Sequence, residues 1–461
     1  MTWWRGRTAP QLFVGSFLFL IVAGTVGLRT LPGLYTGPGL GWVDSLFTAT
    51  SAVCVTGLIV VDTATYFTTM GQAFLLLLIQ IGGLGMITFT TVIILMLGGR
   101  ISLRHEAVSA ALTDLSPHID VRRLTRDIIL FTFAIEAAGA LVLALAWTPS
   151  MGRDGVWHAV FQAVSAFCNA GFSTFSDSLV GFRARPLILI PMMTLITIGG
   201  LGFLTMEELW LRRRRRRRRL RRQTDELVPR LTLHSKLVLA ATAALLLGGC
   251  VFFTFFEWNL SFAELPAWAR FLNGLFMSVT ARTAGFNTID YGRAADASNF
   301  LTILLMFIGG SPGSTAGGVK TTTVVVIGLL AWSRYRGRLS ADVAGRTIPE
   351  ETIQRAIGLF VLAFGIVTLA IFLFTTLEIG VVSHAVAESE FLMYMFEAVS
   401  AFGTVGLSMG VTPELSTAGR IITVLLMYVG RVGVLTFVAA IALRAQRGGV
   451  ERYAHEDVII G

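Results

Sequence analysis

The sequence is poor in charged residues and in cysteine. Only 14% of its 461 residues are Asp, Glu, Lys or Arg, whereas 54% are hydrophobic and the mean hydropathy is +0.72. Soluble domains carry about 25% charged residues, so this composition excludes an ordinary soluble fold and predicts that lipid surrounds most of the chain. The three cysteines, Cys54, Cys168 and Cys250, are an odd number in apolar surroundings, which argues against a disulfide framework or a thiolate metal cluster.

Residues that carry chemistry are also scarce. The six histidines are scattered, and no Ser/Lys pair or metal-ligand cluster is evident, so we expect no enzyme. The sequence has no G-x-G-x-x-G after a strand and no soluble stretch long enough for a Rossmann unit, so we expect no organic cofactor in this chain. The carboxylates Glu136 and Glu397 lie in apolar segments, where functional and structural pairing roles are equally plausible.

The net charge of +9 is concentrated in one tract directly after an apolar segment. Arg212 to Arg219 are consecutive arginines, followed by Arg221 and Arg222. That position favours a cytoplasmic loop that contacts anionic lipid over a nucleic-acid site. We therefore expect no nucleic-acid partner.

One short pattern occurs four times: SAVCVTGL, SAFCNAGF, SVTARTAGF and SAFGTVGL. Its glycines, Gly57, Gly171, Gly285 and Gly406, are separated by 114, 114 and 121 residues. A second glycine landmark follows each of them in the same order, which makes a chance match improbable. The landmarks are Gly82-Gly83, Gly199-Gly200, Gly309-Gly310, and Gly430 with Gly433.

Each repeat has the pattern of a long apolar helix, a short helix of about ten residues, the glycine loop and a second long apolar helix. The short helix cannot cross a hydrocarbon core of about 30 Å, so we expect it to be re-entrant. The prediction is an all-α polytopic membrane protein with four tandem helix/pore-helix/filter/helix repeats around one central pore and eight transmembrane spans. The expected repeats are residues 1–105, 106–225, 226–345 and 346–461, the last with a cytoplasmic tail.

Lysine and arginine are distributed unequally between the two sides. The N-terminus, the linkers between repeats and the C-terminus hold 27 of the 37, and the filter-side loops hold 8. The positive-inside rule then places both termini of this multi-pass protein in the cytoplasm. The location that we expect is a bacterial-type inner membrane.

Irregular backbone is tolerated at membrane depth only where protein buries it or water reaches it. Four glycine loops at one depth therefore predict a shared ion path, in which backbone carbonyls replace the hydration shell of a cation. A single glycine cluster is more often a helix-packing device, but fourfold recurrence favours a filter. The predicted filter residues are Val55, Thr56, Gly57, Asn169, Ala170, Gly171, Thr283, Ala284, Gly285, Thr404, Val405 and Gly406.

Acidic residues follow two of the glycines at a matched offset. Asp62 and Asp290 each lie five positions past their glycine, and an outer collar of negative charge there would concentrate cations. The alternative is an ordinary solvated loop residue.

The sequence resembles the TrkH/KtrB/HKT superfamily of potassium transporters over nearly its whole length. KtrB-type subunits are the best match, because only one helix fits between Met1 and Gly57. The resemblance implies K⁺ uptake, and the glycine at the first filter position favours K⁺ as the transported ion. It also implies Na⁺ as a possible activator. It also implies a homodimer bound to a separate cytoplasmic ring of nucleotide-binding RCK subunits, similar to KtrA.

The same resemblance implies a gate in the second helix of the third repeat. Several small residues and a proline without an N–H disfavour a helix there, and a Pro-kinked helix is the alternative. Lys320 and Arg431, the two cations at membrane depth, belong to this gate. The gate residues are Gly309, Gly310, Ser311, Pro312, Gly313, Ser314, Thr315, Ala316, Gly317 and Gly318.

The third repeat departs from the pattern. Phe276 lies nine residues before Gly285, whereas the equivalent phenylalanines lie ten residues before their glycines, and Arg282 occupies the altered corner. Two other functions stay open: a cation-coupled secondary transporter with broken helices, and a Na⁺-permeable member of the same superfamily.

Overall fold

The computed structural model describes residues 9–98, 121–222, 231–338, 340–343, 345–380 and 390–433. Within these ranges the chain is helical except for loops and one hairpin of two-residue strands, β1 (Asp342–Val343) and β2 (Arg346–Thr347). The all-α prediction is therefore confirmed. The helices in chain order are α1 (Ala9–Thr30), α2 (Trp42–Val53), α3 (Thr63–Tyr66), α4 (Thr69–Gly98), α5 (Val121–Met151), α6 (Asp154–Cys168), α7 (Pro186–Leu201), α8 (Phe203–Arg222), α9 (Leu233–Glu257), α10 (Ala267–Thr280), α11 (Asp296–Phe307), α12 (Thr321–Tyr335), α13 (Glu350–Phe374), α14 (Glu390–Gly403) and α15 (Thr417–Val432).

The first long helix of every predicted repeat is present as α1, α5, α9 and α13. These four helices and α4 are long and apolar enough to cross a membrane, and the bent pair α7 and α8 adds a sixth span. The positions of the last two predicted spans are taken by α11 with α12, and by α15. The continuation of α15 to Leu443, which the sequence predicts, lies outside the described residues.

The short predicted helices are α2, α6, α10 and α14, which are 12, 15, 14 and 14 residues long. Each of these helices has a fully buried phenylalanine nine or ten residues before the repeated glycine, so this side of the helix packs inside the molecule. These residues are Phe47, Phe161, Phe276 and Phe396.

The second helix of the second repeat is not continuous. The sequence predicts one span from Pro186 to Leu211, but the chain bends by 105° between α7 and α8. The bend lies at Gly202, whose φ of +86° is unfavourable for residues with a side chain. Gly433, the residue that follows α15, has a φ of +85°, which is nearly the same backbone conformation.

Two of the predicted repeat boundaries, near residues 105 and 225, lie outside the described residues. The third, between residues 345 and 346, falls in the turn of the β1–β2 hairpin. The repeat boundaries therefore stay predictions.

Candidate ion pathway

The four repeated glycines lie side by side in a closed ring. A methyl group built on Gly57 would lie 2.9 Å from the Cα of Gly171, and one on Gly171 would lie 3.0 Å from the Cα of Gly285. The ring continues from Gly285 to Gly406, at 3.3 Å, and from Gly406 back to Gly57, at 2.9 Å. The structure thus brings together loops that are more than 100 residues apart in the sequence.

A carbonyl oxygen accompanies each glycine of this ring. A methyl group on each glycine would contact the carbonyl of the residue that precedes the glycine of a neighbouring loop. Only glycine fits, because the backbone of the next loop occupies the space of a side chain. The four carbonyls belong to Thr56, Ala170, Ala284 and Val405.

The backbone of all four loops has the same strained conformation. Two residues before each glycine, a residue with a side chain has positive φ: Val55 at 55°, Asn169 at 59°, Thr283 at 75° and Thr404 at 49°. Three of these are β-branched, for which such a conformation is a genuine outlier that costs about 1–3 kcal/mol. Strain of this kind persists only where the surrounding structure enforces it.

A hydroxyl group on each short helix fixes its loop. Ser51 donates to the carbonyl of Leu58 at 2.7 Å and accepts from the N–H of Gly57 at 3.1 Å. Ser165 and Thr280 donate to the carbonyls of Phe172 and Phe286, and Ser400 accepts from the N–H of Gly406. Because the short helices end at the ring, their partial negative C-termini favour a cation at its centre.

The third loop keeps the register of the others although it is one residue shorter. In the first loop the N–H before the glycine, that of Thr56, donates to the carbonyl of Ser51 at 2.8 Å. In the third loop Ala284 donates to the carbonyl of Thr280 at 3.0 Å, over four residues instead of five. The turn after α10, which ends at Thr280, is therefore one residue shorter than in the first loop, and Gly285 still occupies the equivalent position in the ring.

The segment between α11 and α12 lies directly on one side of the ring. Its two ends pair, since Gly309 donates to the carbonyl of Val319 at 2.9 Å and Thr321 donates to that of Gly310 at 3.1 Å. A methyl group on Gly317 would collide with the side chain of Thr404, a residue of the fourth loop. The predicted interruption at residues 309–318, hereafter the 309–318 loop, is thus a compact loop and not a kinked helix.

The broken helix α7 supplies the polar partners of this loop. The backbone N–H of Ser311 donates to the carbonyl of Gly200 at 3.0 Å, and the backbone N–H of Thr315 donates to that of Gly199 at 3.2 Å. In return, Phe203, the first residue of α8, donates to the carbonyl of Gly313 at 3.0 Å. The bend at Gly202 therefore frees backbone groups that satisfy the loop in a region without bulk water.

The two cations at membrane depth both hold carbonyls of this region. Arg431 is fully buried and donates to the carbonyls of Thr315 and Gly82, the latter at 3.1 Å. Lys320 donates to the carbonyl of Ala316 at 2.6 Å. The guanidinium thus links the 309–318 loop to α4, on the opposite side of the pathway.

The two acidic residues predicted to lie at the outer mouth are helix caps. Asp62 accepts from the N–H of Ala64 at 3.0 Å and from the hydroxyl of Ser176 at 2.6 Å. Asp290 accepts from the N–H of Gly292 at 2.9 Å and forms an ion pair with Arg293 at 3.4 Å. These contacts give each carboxylate a local role, and the outer collar stays a prediction.

Two side-chain contacts and one backbone bend were not anticipated from the sequence. Arg420 forms an ion pair with Asp44 at 2.5 Å, which joins the fourth repeat to the first. Glu136 accepts from the amide of Gln80 at 3.1 Å. The sequence does mark the bend, because Gly199 and Gly202 have the same three-residue spacing as Gly430 and Gly433. No sequence pattern marks the two side-chain pairs.

Comparison with known proteins identifies the family. A family model described as TrkH, cation transport protein, matches residues 11–452. The Ktr system potassium uptake protein B of Bacillus subtilis is 37% identical, covering 99% of this chain and 98% of that protein. The protein of the same name from Vibrio alginolyticus is 36% identical over 98% of this chain and 95% of its own. The potassium/sodium uptake protein NtpJ of Enterococcus hirae is 36% identical, covering 99% of this chain and 98% of that protein.

A solved structure has the same fold. The potassium transporter TrkH from Vibrio parahaemolyticus superposes with a TM-score of 0.74 at 16% identity, covering 97% of this chain and 87% of that one. These relatives are transport proteins, which confirms the prediction of a multi-pass membrane transporter rather than an enzyme. The chain belongs to the TrkH family of cation transport proteins.

Proposed function

We propose that this protein takes up K⁺ through the ring formed by its four glycine loops. The closed ring of glycines and carbonyls is the observation that carries the proposal, because a desolvated monovalent cation needs several oxygen ligands in one place. The four helix C-termini and the strained backbone that turns the peptide groups support it. In this proposal the twelve residues predicted as filter form the selectivity filter.

We propose that the 309–318 loop is the gate. It lies against the ring at Thr404, and the buried Arg431 holds it at Thr315. A positive charge in the path of a cation adds an electrostatic barrier. Opening would break the contact between Arg431 and Thr315 and move the loop off the ring.

We propose the remaining features from the resemblance and the names of the relatives. "Ktr system" implies more than one subunit, which supports a homodimer on an RCK ring similar to KtrA. The basic end of α8, where Arg214 stacks on Trp210 at 5.2 Å, fits anionic lipid. Both termini would be cytoplasmic in a bacterial inner membrane, Na⁺ would act as an activator, and Asp62 and Asp290 would attract cations at the outer mouth.

Permeation of Na⁺ is the second candidate, because one relative is named a potassium/sodium uptake protein. A cation-coupled transporter is favoured less. Its binding site would need broken helices at corresponding positions of two structural repeats, whereas the helix breaks in this protein lie around the 309–318 loop.

The test is uptake of radioactive Rb⁺ into liposomes that contain the purified protein. We expect uptake that K⁺ inhibits and Na⁺ does not, and we expect loss of uptake or of this preference in Gly57→Ala and Gly285→Ala. Gly248→Ala is the control, because a methyl group there contacts nothing within 4 Å. Unchanged selectivity in both filter variants would contradict the filter, and uptake that follows an imposed pH gradient would favour the coupled transporter.

A further inference from the structure

A buried arginine next to the third loop has no partner among the described residues. Arg282 is only 8% exposed, and its guanidinium forms no hydrogen bond or ion pair within that part of the chain. Arg431, the other deeply buried arginine of the pathway, donates to two carbonyls. A buried charge is normally paired, because the free energy of removing it from water is otherwise uncompensated.

The end of α10 compensates this charge only in part. Arg282 follows Thr280, the last residue of α10, by two positions, so it lies at a partially negative helix C-terminus. That terminus is equivalent to about half a negative charge. About half of the positive charge of Arg282 therefore needs another source of negative charge.

Arg282 lines a small cavity between the second and third repeats. The cavity measures about 20 Å³, and Thr197 and Gly200 of α7 and Thr242 of α9 line it together with Gly310. A space of about 10–15 Å³ holds one water molecule, so this cavity has room for a single small ion or one water. No Asp or Glu lines it.

The lining offers donors more readily than acceptors. The hydroxyl of Thr242 is buried and has no hydrogen-bond partner among the described residues. The carbonyls of Gly200 and Gly310 already accept hydrogen bonds from the backbone N–H groups of Ser311 and Thr321, respectively. An unpaired guanidinium and a free hydroxyl suit an anion, because an anion accepts from both.

We propose that this cavity binds one chloride ion, held by Arg282 and Thr242. Chloride is small enough for the space, and its single negative charge is the smallest that an ion can supply to the part of the Arg282 charge that the helix terminus leaves uncompensated. The bound ion neutralises a charge that is one residue from Thr283 in the third loop, where it would otherwise repel a cation. The site also lies where the 309–318 loop docks on α7, so its occupant contacts the base of that loop.

Bromide is the probe, because its anomalous X-ray scattering distinguishes it from water. We expect one anomalous peak in crystals of the full-length protein grown with bromide, within about 3.5 Å of the Arg282 guanidinium and the Thr242 Oγ1. In Thr242→Val, which keeps the shape and removes the hydroxyl, we expect the bromide affinity to fall about tenfold. In Arg282→Gln we expect the peak to disappear.

A second readout covers variants that do not crystallise. The thermal unfolding midpoint of the purified wild-type protein should rise with added chloride until the site is saturated, and Thr242→Val should need about tenfold more chloride. Density for water alone at saturating bromide, or equal peaks in wild type and both variants, would overturn the proposal. These experiments detect a halide and not cation flux, so their failure is distinguishable from failure of the K⁺ filter.

Discussion

The first and third repeats present the same loop to the ring but continue from it in opposite ways. Helix α4 runs without interruption through Gly82, Gly83 and Gly85, whereas the third repeat leaves the helix for the whole 309–318 loop. Both have a glycine pair at the same place. The difference is that α4 has no proline, while the third repeat combines Pro312 with a run of glycines and hydroxyl residues.

The comparison also shows why such an interruption is possible inside a membrane. The loop finds backbone partners on α7, at Gly199 and Gly200, and within its own ends. Without them, each unsatisfied peptide group would cost several kcal/mol. A break in one repeat is therefore accompanied by a bend in its neighbour, at Gly202.

The largest expected effect concerns Arg431, which joins the two regions by donating to Thr315 of the loop and Gly82 of α4. In Arg431→Gln the amide retains a donor but the charge is lost, so we expect Rb⁺ uptake to rise about tenfold or more, because a hydrogen bond from a charged donor contributes about 1.5–3 kcal/mol. Arg153→Gln, at an exposed arginine between α5 and α6, is the control. Uptake that stays the same or falls in a folded Arg431→Gln protein would contradict the gate.

The next effect separates a bent helix from a continuous one. Gly202→Ala places a side chain at a φ of +86° and within 2.5 Å of the Pro312 carbonyl, so we expect a loss of about 1–3 kcal/mol in the free energy of unfolding. Gly85→Ala is at the equivalent position of α4, where the nearest atoms are 3.9 Å away, and should stabilise by about 0.5–1 kcal/mol. Thermal unfolding in detergent measures both. Equal shifts in the two variants would show that the bend is absent.

A smaller effect tests the register of the third loop. Ser51→Ala and Thr280→Val remove equivalent hydroxyls, which donate to the carbonyls of Leu58 and Phe286. We expect each to lower the free energy of unfolding by about 1 kcal/mol and to weaken the preference for Rb⁺ over Na⁺ to a similar degree. An effect in the first repeat alone would mean that the shorter third loop is not equivalent.

The smallest effect concerns the outer acids. Asn is an equally good cap, so Asp62→Asn removes charge with little loss of structure. We expect Rb⁺ uptake at low ionic strength to fall by up to about twofold, and the deficit to vanish at high salt. Asp290→Asn should have less effect, because Arg293 already pairs with Asp290. A deficit that persists at high salt would favour a structural role as a cap.

The fold and the positions of the four loops were predictable because lipid enforces simple rules. Long apolar runs must be helices, and irregular glycine loops that recur after short helices must be shielded from lipid, which places them together inside the molecule. The same reasoning predicted a continuous span across Gly202, which is wrong, because that bend depends on contacts with the third repeat that hydropathy does not encode. The pairs Arg420 with Asp44 and Glu136 with Gln80 join residues far apart in sequence, so no local pattern predicts them.

The shorter third loop shows the same limit. Counting residues from Phe276 to Gly285 suggests a shifted filter, but α10 ends at Thr280 and the loop closes over four residues instead of five. Where this helix stops depends on packing with residues far away in the sequence, which counting residues within one repeat does not report.

The most direct test of the central claim is to locate the permeant ion. Crystals of the protein grown in Rb⁺, measured at the rubidium absorption edge, should show anomalous density within the ring formed by the carbonyls of Thr56, Ala170, Ala284 and Val405. The account predicts that this density weakens when excess K⁺ is added beside Rb⁺ and persists when the same excess of Na⁺ is added. Rubidium bound elsewhere in the membrane region, with none in the ring, would contradict it.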